Sequence, residues 1–364
     1  LQILRSLRLV RSKAVSVLHQ LAEWSLRSKD IMLVARTHNV PAQPTTLGKR
    51  LAMFGEEILF ALKRLDHLIE HYPLRGLQGA VGTRLDQLVL LNGDKKKVRQ
   101  LSEQILKHLD CSVSFNAVGQ VYPRSLDVET VQALISLSSG ISSFARTLRL
   151  MAGQGLASEG FQQGQVGSSA MPHKMNARTS ERINGFHQIL NGYGTMLSGL
   201  SGDQWNEGDV SCSVVRRVAL PGAFFAADGQ LEAALTVLSE MGFYENAIAQ
   251  ELKQYLPFLA STTLLMEAVR SGGGRESVHE AIKAHAVVVA EALRNGEQSE
   301  NDLAQRLADD ERVPLDLQEI MAVLNDPQRF AASAPEQAEK FAEEVGKWTK
   351  RFPEAKELVP EALL

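Results

Sequence analysis

The sequence predicts an all-α protein, with a central bundle of long helices over residues 1–243 and a smaller helical domain over residues 244–364. Apolar residues recur at alternating spacings of three and four over long stretches, which places them on one face of a helix. Strand signals are almost absent, because the valine-rich patches lie inside helical patterns. No internal repeat or low-complexity segment interrupts this organisation.

The first two helical segments begin the bundle. The chain opens inside a helical pattern at Leu1, without an initiator methionine, so we expect a structured segment upstream of it. Pro73 ends the next long helix, because proline removes a backbone hydrogen-bond donor. This helix carries a single apolar stripe that consists of Leu51, Phe54, Ile58, Ala61, Leu65, Leu68 and Tyr72.

A further long helix is expected from Leu126 to Met151. It is apolar on most faces, so we expect it in the centre of the bundle. Two more helices follow at residues 178–200 and 214–240, and they complete the bundle. In the C-terminal domain, a helix stops at Asn295-Gly296, a pair typical of a left-handed helix end.

Composition narrows the class of function. Hydrophobic residues make up 44% of the chain and charged residues 22%, as in ordinary globular proteins. The net charge of −3 does not indicate a nucleic-acid partner, because such proteins are usually basic. A small phosphorylated ligand, however, needs only a local basic pocket. No apolar run approaches the roughly 18 residues of a membrane helix, so we expect no membrane partner. Cys111 and Cys212 lie far apart without metal-ligand spacing, which favours the reducing cytoplasm.

The segment Gly164–Asn176, GQVGSSAMPHKMN, is too rich in glycine and polar residues to be buried as core. We therefore expect an exposed loop, the kind of element on which functional residues concentrate. A serine hydroxyl acts as a base only where N–H groups and a cation stabilise its alkoxide. Lys174 is such a cation, and the Asn176 amide can donate to a carboxylate. From composition alone, a polar connector and an active-site lid are equally open.

The string GSSAMPHKMN resembles the signature loop of the fumarase/aspartase superfamily, whose usual form is GSSxMPxKxNP. The resemblance implies an all-α homotetramer that releases fumarate by β-elimination, with Ser168 as the base. It also implies that Lys174 and Asn176 bind the substrate carboxylate and stabilise the transition state, and that Ser169 contributes to this through its backbone N–H. One position departs from the pattern, because Ala177 stands where the superfamily usually has proline.

A second block, RTHNVPAQPTTLGK over residues 36–49, resembles the superfamily pattern RTHxxPAxPTTxGK. A lone histidine is more often a structural or surface residue than a catalytic one. With its surrounding block, however, the resemblance implies that His38 is the general acid and that Thr37 binds a carboxylate. An imidazole can hold a proton near neutral pH and pass it to a leaving nitrogen.

Two further stretches concern the substrate. Residues 116–124, NAVGQVYPR, resemble the GQxYxR segment of adenylosuccinate lyases within that superfamily, which implies that Gln120 contacts substrate. Ser213 and Arg217 are four apart at the start of a helix, so they share a face that suits a phosphate. By spacing alone, an N-cap serine with a solvated arginine is the more frequent explanation.

Residues 205–217, WNEGDVSCSVVRR, resemble the WxExDxSxSxxxR stretch of the same lyases. This implies that Ser213 and Arg217 bind the nucleotide phosphate, and Arg182, eight residues after Lys174, is assigned to the substrate as well. Gly208 departs from the pattern, because many members carry a substrate-binding arginine there. We expect another basic residue to replace it.

The resemblance implies cleavage of adenylosuccinate into AMP and fumarate, and of SAICAR (the succinylated aminoimidazole carboxamide ribotide) with release of the same acid, in purine biosynthesis. It implies no metal or organic cofactor, and an active site that draws on three subunits of a homotetramer. The superfamily's first block, and with it an N-terminal domain, would lie upstream of Leu1. Two alternatives stay open: another superfamily lyase of the argininosuccinate lyase or carboxymuconate cycloisomerase type, and a non-catalytic helical scaffold.

Overall fold

The computed structural model describes residues 1–160 and 174–360 of the 364. These residues form thirteen α-helices and four short strands, with two short 3₁₀ helices at Pro327–Phe330 and Pro353–Lys356. The elements are α1 (Gln2–Arg27), β1 (Met32–Thr37), β2 (Val40–Thr46), α2 (Leu47–Glu70), α3 (Leu85–Leu90), α4 (Lys95–His108), α5 (Ser125–Gly153), β3 (Ala157–Ser158), α6 (Arg178–Ser198), α7 (Ser211–Glu240), β4 (Gly242–Phe243), α8 (Glu245–Leu259), α9 (Ser261–Arg270), α10 (Arg275–Asn295), α11 (Leu303–Ala308), α12 (Leu317–Leu324) and α13 (Ala334–Arg351).

The chain divides into two compact units. Unit 1 comprises Leu1–Ala22, Met53–Gly242 and Glu343–Leu364, and unit 2 comprises Glu23–Ala52 and Phe243–Ala342. The predicted division at residue 243 differs from these units in two segments, because it places Glu23–Ala52 in the first domain and Glu343–Leu364 in the second. The domain boundaries stay a prediction. Within the described residues, no helix is both long and apolar enough to cross a membrane.

Helix α5 is the centre of unit 1, as its apolar character on most faces predicts. Its Phe144 meets Phe54 of α2 edge to face, with ring centroids 6.3 Å apart. Gly140 lets the two helices approach closely, because an added Cβ there would lie 2.7 Å from Cγ1 of Ile58. Helices α6 and α7 pack against α5 and against each other. The all-α bundle predicted from the sequence is therefore confirmed.

Polar side chains cross the core of this bundle and are paired. The Gln230 side-chain amide is buried and donates to the carbonyl of Ile183 at 3.0 Å. Ser138 Oγ lies 2.8 Å from Nδ1 of His187, and burial lowers the pKa of that imidazole. Since a buried polar group without a partner costs free energy, these pairs fix how α5, α6 and α7 align.

Unit 2 contains an element that the sequence did not predict. Strands β1 and β2 form an antiparallel hairpin over residues 32–46, whereas the sequence showed almost no strand signal. Met32 and Val34 on β1 are buried against Leu252 and Leu256 of α8. The remaining helices of the unit, from α8 to α12, bury a separate apolar cluster that includes Leu264, Val278, Val289, Leu303 and Ile320.

Candidate active site

Lys174 and Asn176 lie where α5 ends and α6 begins. Both line a cavity of about 620 Å³, together with Arg146 on the last turns of α5. The Lys174 side chain is exposed and Asn176 is half-buried. The predicted base Ser168 and its neighbour Ser169 lie outside the described residues. Of the predicted loop, the structure therefore places only the cation and the amide, and it brings these two together.

The start of α6 is held by one carboxylate. The two oxygens of Glu159 accept hydrogen bonds from the backbone N–H groups of Thr179 and Ser180, each at 2.8 Å. These N–H groups belong to the first turn of α6, which has no partner for them within the helix. A negative charge is also favourable there because of the helix dipole. Glu159 thereby fixes the backbone that directly follows Asn176.

Arg182 belongs to the same end of the bundle as Lys174. It is exposed on α6, next to Glu181, which pairs with Arg149 of α5 at 3.7 Å. Sequence reasoning grouped Arg182 with Ser213 and Arg217 as substrate contacts. Within one chain, the structure places it with the loop residues instead.

Ser213 and Arg217 lie at the other end of the bundle, on the first turns of α7. Both line a cavity of about 640 Å³ to which α1 contributes Arg5 and α7 contributes Arg216. The predicted shared helix face of Ser213 and Arg217 is thus confirmed. Their role in binding phosphate stays a prediction.

A buried ionic network joins this end of α7 to α5. Arg216 Nε donates to Asp127 at 2.6 Å, Arg124 donates to the same carboxylate at 3.2 Å, and the Tyr122 hydroxyl donates to its other oxygen at 2.7 Å. Asp127 is 1% exposed and Arg124 is 4% exposed. Burial, with the neighbouring carboxylate, raises the pKa of Tyr122, so the hydroxyl keeps its proton.

This network explains two residues of the GQxYxR segment whose roles the sequence left undefined. Tyr122 and Arg124 have a structural role, because both donate hydrogen bonds to the buried carboxylate of Asp127. Sequence reasoning missed Asp127 and Arg216. The available signal was a carboxylate within the apolar stretch that becomes α5, since a buried charge requires a partner.

Gln120 lies at this same end. Its backbone N–H donates to the carbonyl of Glu207 at 2.8 Å, so the segment before α5 is bound to the segment before α7. The Gln120 side chain is exposed. The adjacent Gly208 has a φ of 140°, and an added Cβ would lie 3.1 Å from the Val121 side chain. An arginine at position 208 would therefore be strained in this backbone conformation.

His38 lies at the tip of the β1–β2 hairpin in unit 2. Thr37 pairs with Val40, which leaves His38 and Asn39 as a two-residue turn with φ values of 52° and 62°. Both φ values are positive, as a type I′ hairpin turn requires. Thr37 and His38 are exposed. The predicted general acid is therefore exposed at the turn between two hydrogen-bonded strands.

An arginine beside His38 fixes this turn. Arg36 Nη1 donates to the carbonyl of Asn39 at 3.2 Å, and its Nη2 pairs with the carboxylate of Glu251 on α8. Arg50 lies near the same carboxylate and donates to the carbonyl of Val34 at 2.7 Å. Burial lowers the pKa of Arg50 to about 10. Sequence reasoning had no signal for Glu251, which lies 215 residues from Arg36.

Helix α5 separates two groups of predicted site residues in unit 1. The Lys174 group consists of Lys174, Asn176 and Arg182, and the Ser213 group consists of Gln120, Ser213 and Arg217. Helix α5 has 29 residues and runs from the Ser213 end to the Lys174 end. At 1.5 Å per residue, the two groups lie about 40 Å apart in one chain. Among the described residues, no group of three or more His, Cys, Asp or Glu side chains could hold a metal ion.

Comparisons with known proteins identify the relatives of this chain. The family described as Lyase matches residues 3–190, and the family described as Adenylosuccinate lyase C-terminus matches residues 257–341. Adenylosuccinate lyase of Saccharomyces cerevisiae is 32% identical over 331 residues, which cover 91% of this chain and 68% of that protein. The enzyme of Schizosaccharomyces pombe is 33% identical over 330 residues, or 90% and 68% of the two chains. The chain belongs to the adenylosuccinate lyase family.

Solved structures support the fold of this adenylosuccinate lyase family member. The 3-carboxy-cis,cis-muconate lactonizing enzyme from Pseudomonas putida superposes with a TM-score of 0.81 over 96% of this chain and 75% of that one, at 20% identity. A fumarate lyase from Mesorhizobium sp. BNC1 gives 0.76 over 93% and 73%, at 19% identity. At these identities the likeness concerns the fold alone. The chain is thus a lyase by family and fumarase/aspartase-like by fold.

Proposed function

We propose that the protein cleaves adenylosuccinate into AMP and fumarate, and SAICAR into AICAR and fumarate. The observation that carries the substrate assignment is the cavity shared by Ser213, Arg217 and further guanidinium groups. A hydroxyl with several guanidiniums is suited to a phosphate, which both purine substrates contain. Membership of the adenylosuccinate lyase family supplies the reaction class.

The proposed reaction is a β-elimination. Ser168, as its alkoxide, removes the proton from Cβ of the succinyl group, and the electrons left on that carbon form the double bond of fumarate as the C–N bond breaks. Charge builds up on the adjacent carboxylate, where Lys174, Asn176 and Ser169 stabilise it, with Thr37 as a further donor. His38 gives a proton to the departing nitrogen.

This proposal requires more than one copy of the chain at each active site. The Lys174 group and the Ser213 group lie about 40 Å apart along α5, too far to touch one small substrate. Two antiparallel copies would bring the opposite ends of the bundle together. We therefore propose a homotetramer with shared active sites, in which Gln120, Ser213 and Arg217 of one copy face Lys174, Asn176 and Arg182 of another.

The surface of α7 supports this assembly. Val214, Val218 and Phe225 are 64%, 55% and 77% exposed, and they recur at spacings of four and seven along one face. Such a heptad-like row of exposed apolar residues is typical of helices that pack against another helix. A second copy of the chain is the proposed partner.

The proposal needs neither a metal nor an organic cofactor, because every step is assigned to a side chain or a backbone N–H group. Cys111 and Cys212 are both free thiols, which agrees with the reducing cytoplasm as the proposed compartment. A lyase acting on a phosphate-free substrate leaves the guanidiniums around Ser213 without a ligand. We therefore place the argininosuccinate lyase type and the carboxymuconate cycloisomerase type second, and the non-catalytic scaffold third.

The test is to incubate the full-length protein with adenylosuccinate and to follow AMP and fumarate by absorbance and chromatography. Ser168→Ala should abolish the reaction and leave the oligomer intact, whereas Ser169→Ala, the matched neighbour, should retain part of it. Full activity of the Ser168 variant would remove the serine assignment. Turnover of argininosuccinate without turnover of adenylosuccinate would overturn the substrate assignment.

A further inference from the structure

The cavity at the start of α7 contains more positive charge than the predicted phosphate contacts account for. Arg5 on α1, Arg216 and Arg217 all line it, together with Ser213. Arg216 pairs with Asp127, to which it donates at 2.6 Å, and the same carboxylate also accepts a hydrogen bond from Arg124. The cavity therefore holds two further guanidiniums, Arg5 and Arg217, whose charge Asp127 does not offset.

Within the part of the chain that the structure describes, neither of these two arginines has a carboxylate partner. Among residues 1–160 and 174–360, no ion pair or side-chain hydrogen bond involves the guanidinium of Arg5 or Arg217. Arg8, one turn further along α1, behaves differently and pairs with Asp110 at 3.4 Å. Arg5 and Arg217 are both exposed, so solvent weakens the repulsion between them, and an anion between the two guanidiniums reduces it further.

The other walls of the cavity fit a nucleotide. Leu220, Pro221 and Phe224 provide apolar surface beside the guanidiniums. The phosphate of a nucleotide suits the arginine and serine groups, and its purine base suits the apolar surface. Gly208 cannot contribute a cation from its own position, because it has no side chain and its φ of 140° disfavours one.

We propose that Arg5 binds the 5′-phosphate of the purine nucleotide together with Ser213 and Arg217. This inference rests on the proposed function and adds a residue that the sequence motifs do not contain. A guanidinium donates two parallel hydrogen bonds to phosphate oxygens, so Arg5 and Arg217 can hold the group from two helices. The phosphate would then join the start of α1 to the start of α7.

The experiment compares AMP with adenosine, which differ by the phosphate alone. We would measure the affinity of full-length protein for both ligands by calorimetry, in the unchanged protein and in Arg5→Gln, Arg217→Gln and Arg8→Gln. The Arg8 variant is the matched control, since it removes the same charge from the same helix outside the cavity. We expect Arg5→Gln to weaken AMP binding about tenfold and to leave adenosine binding unchanged.

The outcomes separate this inference from the proposed function. An equal loss for AMP and adenosine, or an Arg5 variant that matches the Arg8 control, overturns the role of Arg5 even if Arg217→Gln weakens AMP selectively. If the unchanged protein neither binds AMP nor cleaves adenylosuccinate, the proposed function itself fails. Thermal unfolding of all variants identifies any loss that comes from misfolding.

Discussion

The two ends of α5 carry different kinds of polar structure. At its start, Asp127 is buried and receives hydrogen bonds from Arg124, Arg216 and Tyr122. At its end, the charged side chains lie at the surface, and Arg149 contacts Asn184 at 2.9 Å with 40% of its side chain exposed. One end is thus fixed by a desolvated network and the other by surface contacts.

This difference indicates that the two ends of α5 have different functions. A buried, hydrogen-bonded network holds neighbouring segments in one arrangement, which suits recognition of a rigid group such as a phosphate. Surface contacts cost little to rearrange, which suits residues that must adjust around a reacting group. We infer that the Ser213 end selects the substrate and that the Lys174 end takes part in the chemistry.

Mixing two inactive variants tests this division most directly. Lys174→Ala and Arg217→Ala should each lose activity on adenylosuccinate by a hundredfold or more, on the order expected for a lost charge-stabilising group. If the two ends of different copies form one site, random reassembly of equal amounts restores roughly a quarter of the sites. The measurement is activity after the variants are unfolded together and refolded.

The control for the mixing experiment is each variant refolded by itself, which should stay inactive. A mixture that also stays inactive, although gel filtration shows mixed oligomers, would mean that both residues act within one chain. That result would contradict the separation of about 40 Å as the reason for a shared site.

The buried network predicts the next largest effect. Asp127→Asn leaves Arg124 buried without its counter-charge, so we expect the free energy of unfolding to fall by about 3 kcal/mol. AMP binding should weaken as well, because Arg216 then no longer fixes the first turns of α7. Glu129→Gln, on an exposed position of the same helix, is the control for urea unfolding. A loss below about 1 kcal/mol would show that the network is not a stabilising element.

The long helices were predictable from the sequence, because apolar residues at alternating spacings of three and four over many turns fit a helix and not a strand. The predicted helix at 126–151 became α5 at Ser125–Gly153, and its apolar faces placed it in the centre. The hairpin was not predictable in the same way. Pro41 and Pro44 are unfavourable in most strands, and its turn is His38-Asn39 rather than a pair that contains glycine.

The site was only partly predictable, because motifs give residues but not their positions in space. The motif around Ser213 and Arg217 defined a shared face, and the structure has that face. The pairing of Arg216 with Asp127 spans 89 residues, and no local pattern encodes such a contact. The position of Arg182 at the Lys174 end depends on the direction of α6, which follows from packing alone.

The smallest predicted effect concerns the surface end of the comparison. Glu159→Gln removes the charge from the two hydrogen bonds at the start of α6, so we expect a loss of about 1 kcal/mol in the free energy of unfolding. Glu181→Gln, in the same first turn, removes only an exposed pair with Arg149 and should cost less than about 0.5 kcal/mol. Urea unfolding of both variants measures the difference. Equal effects would mean that the Glu159 carboxylate does not fix the backbone after Asn176.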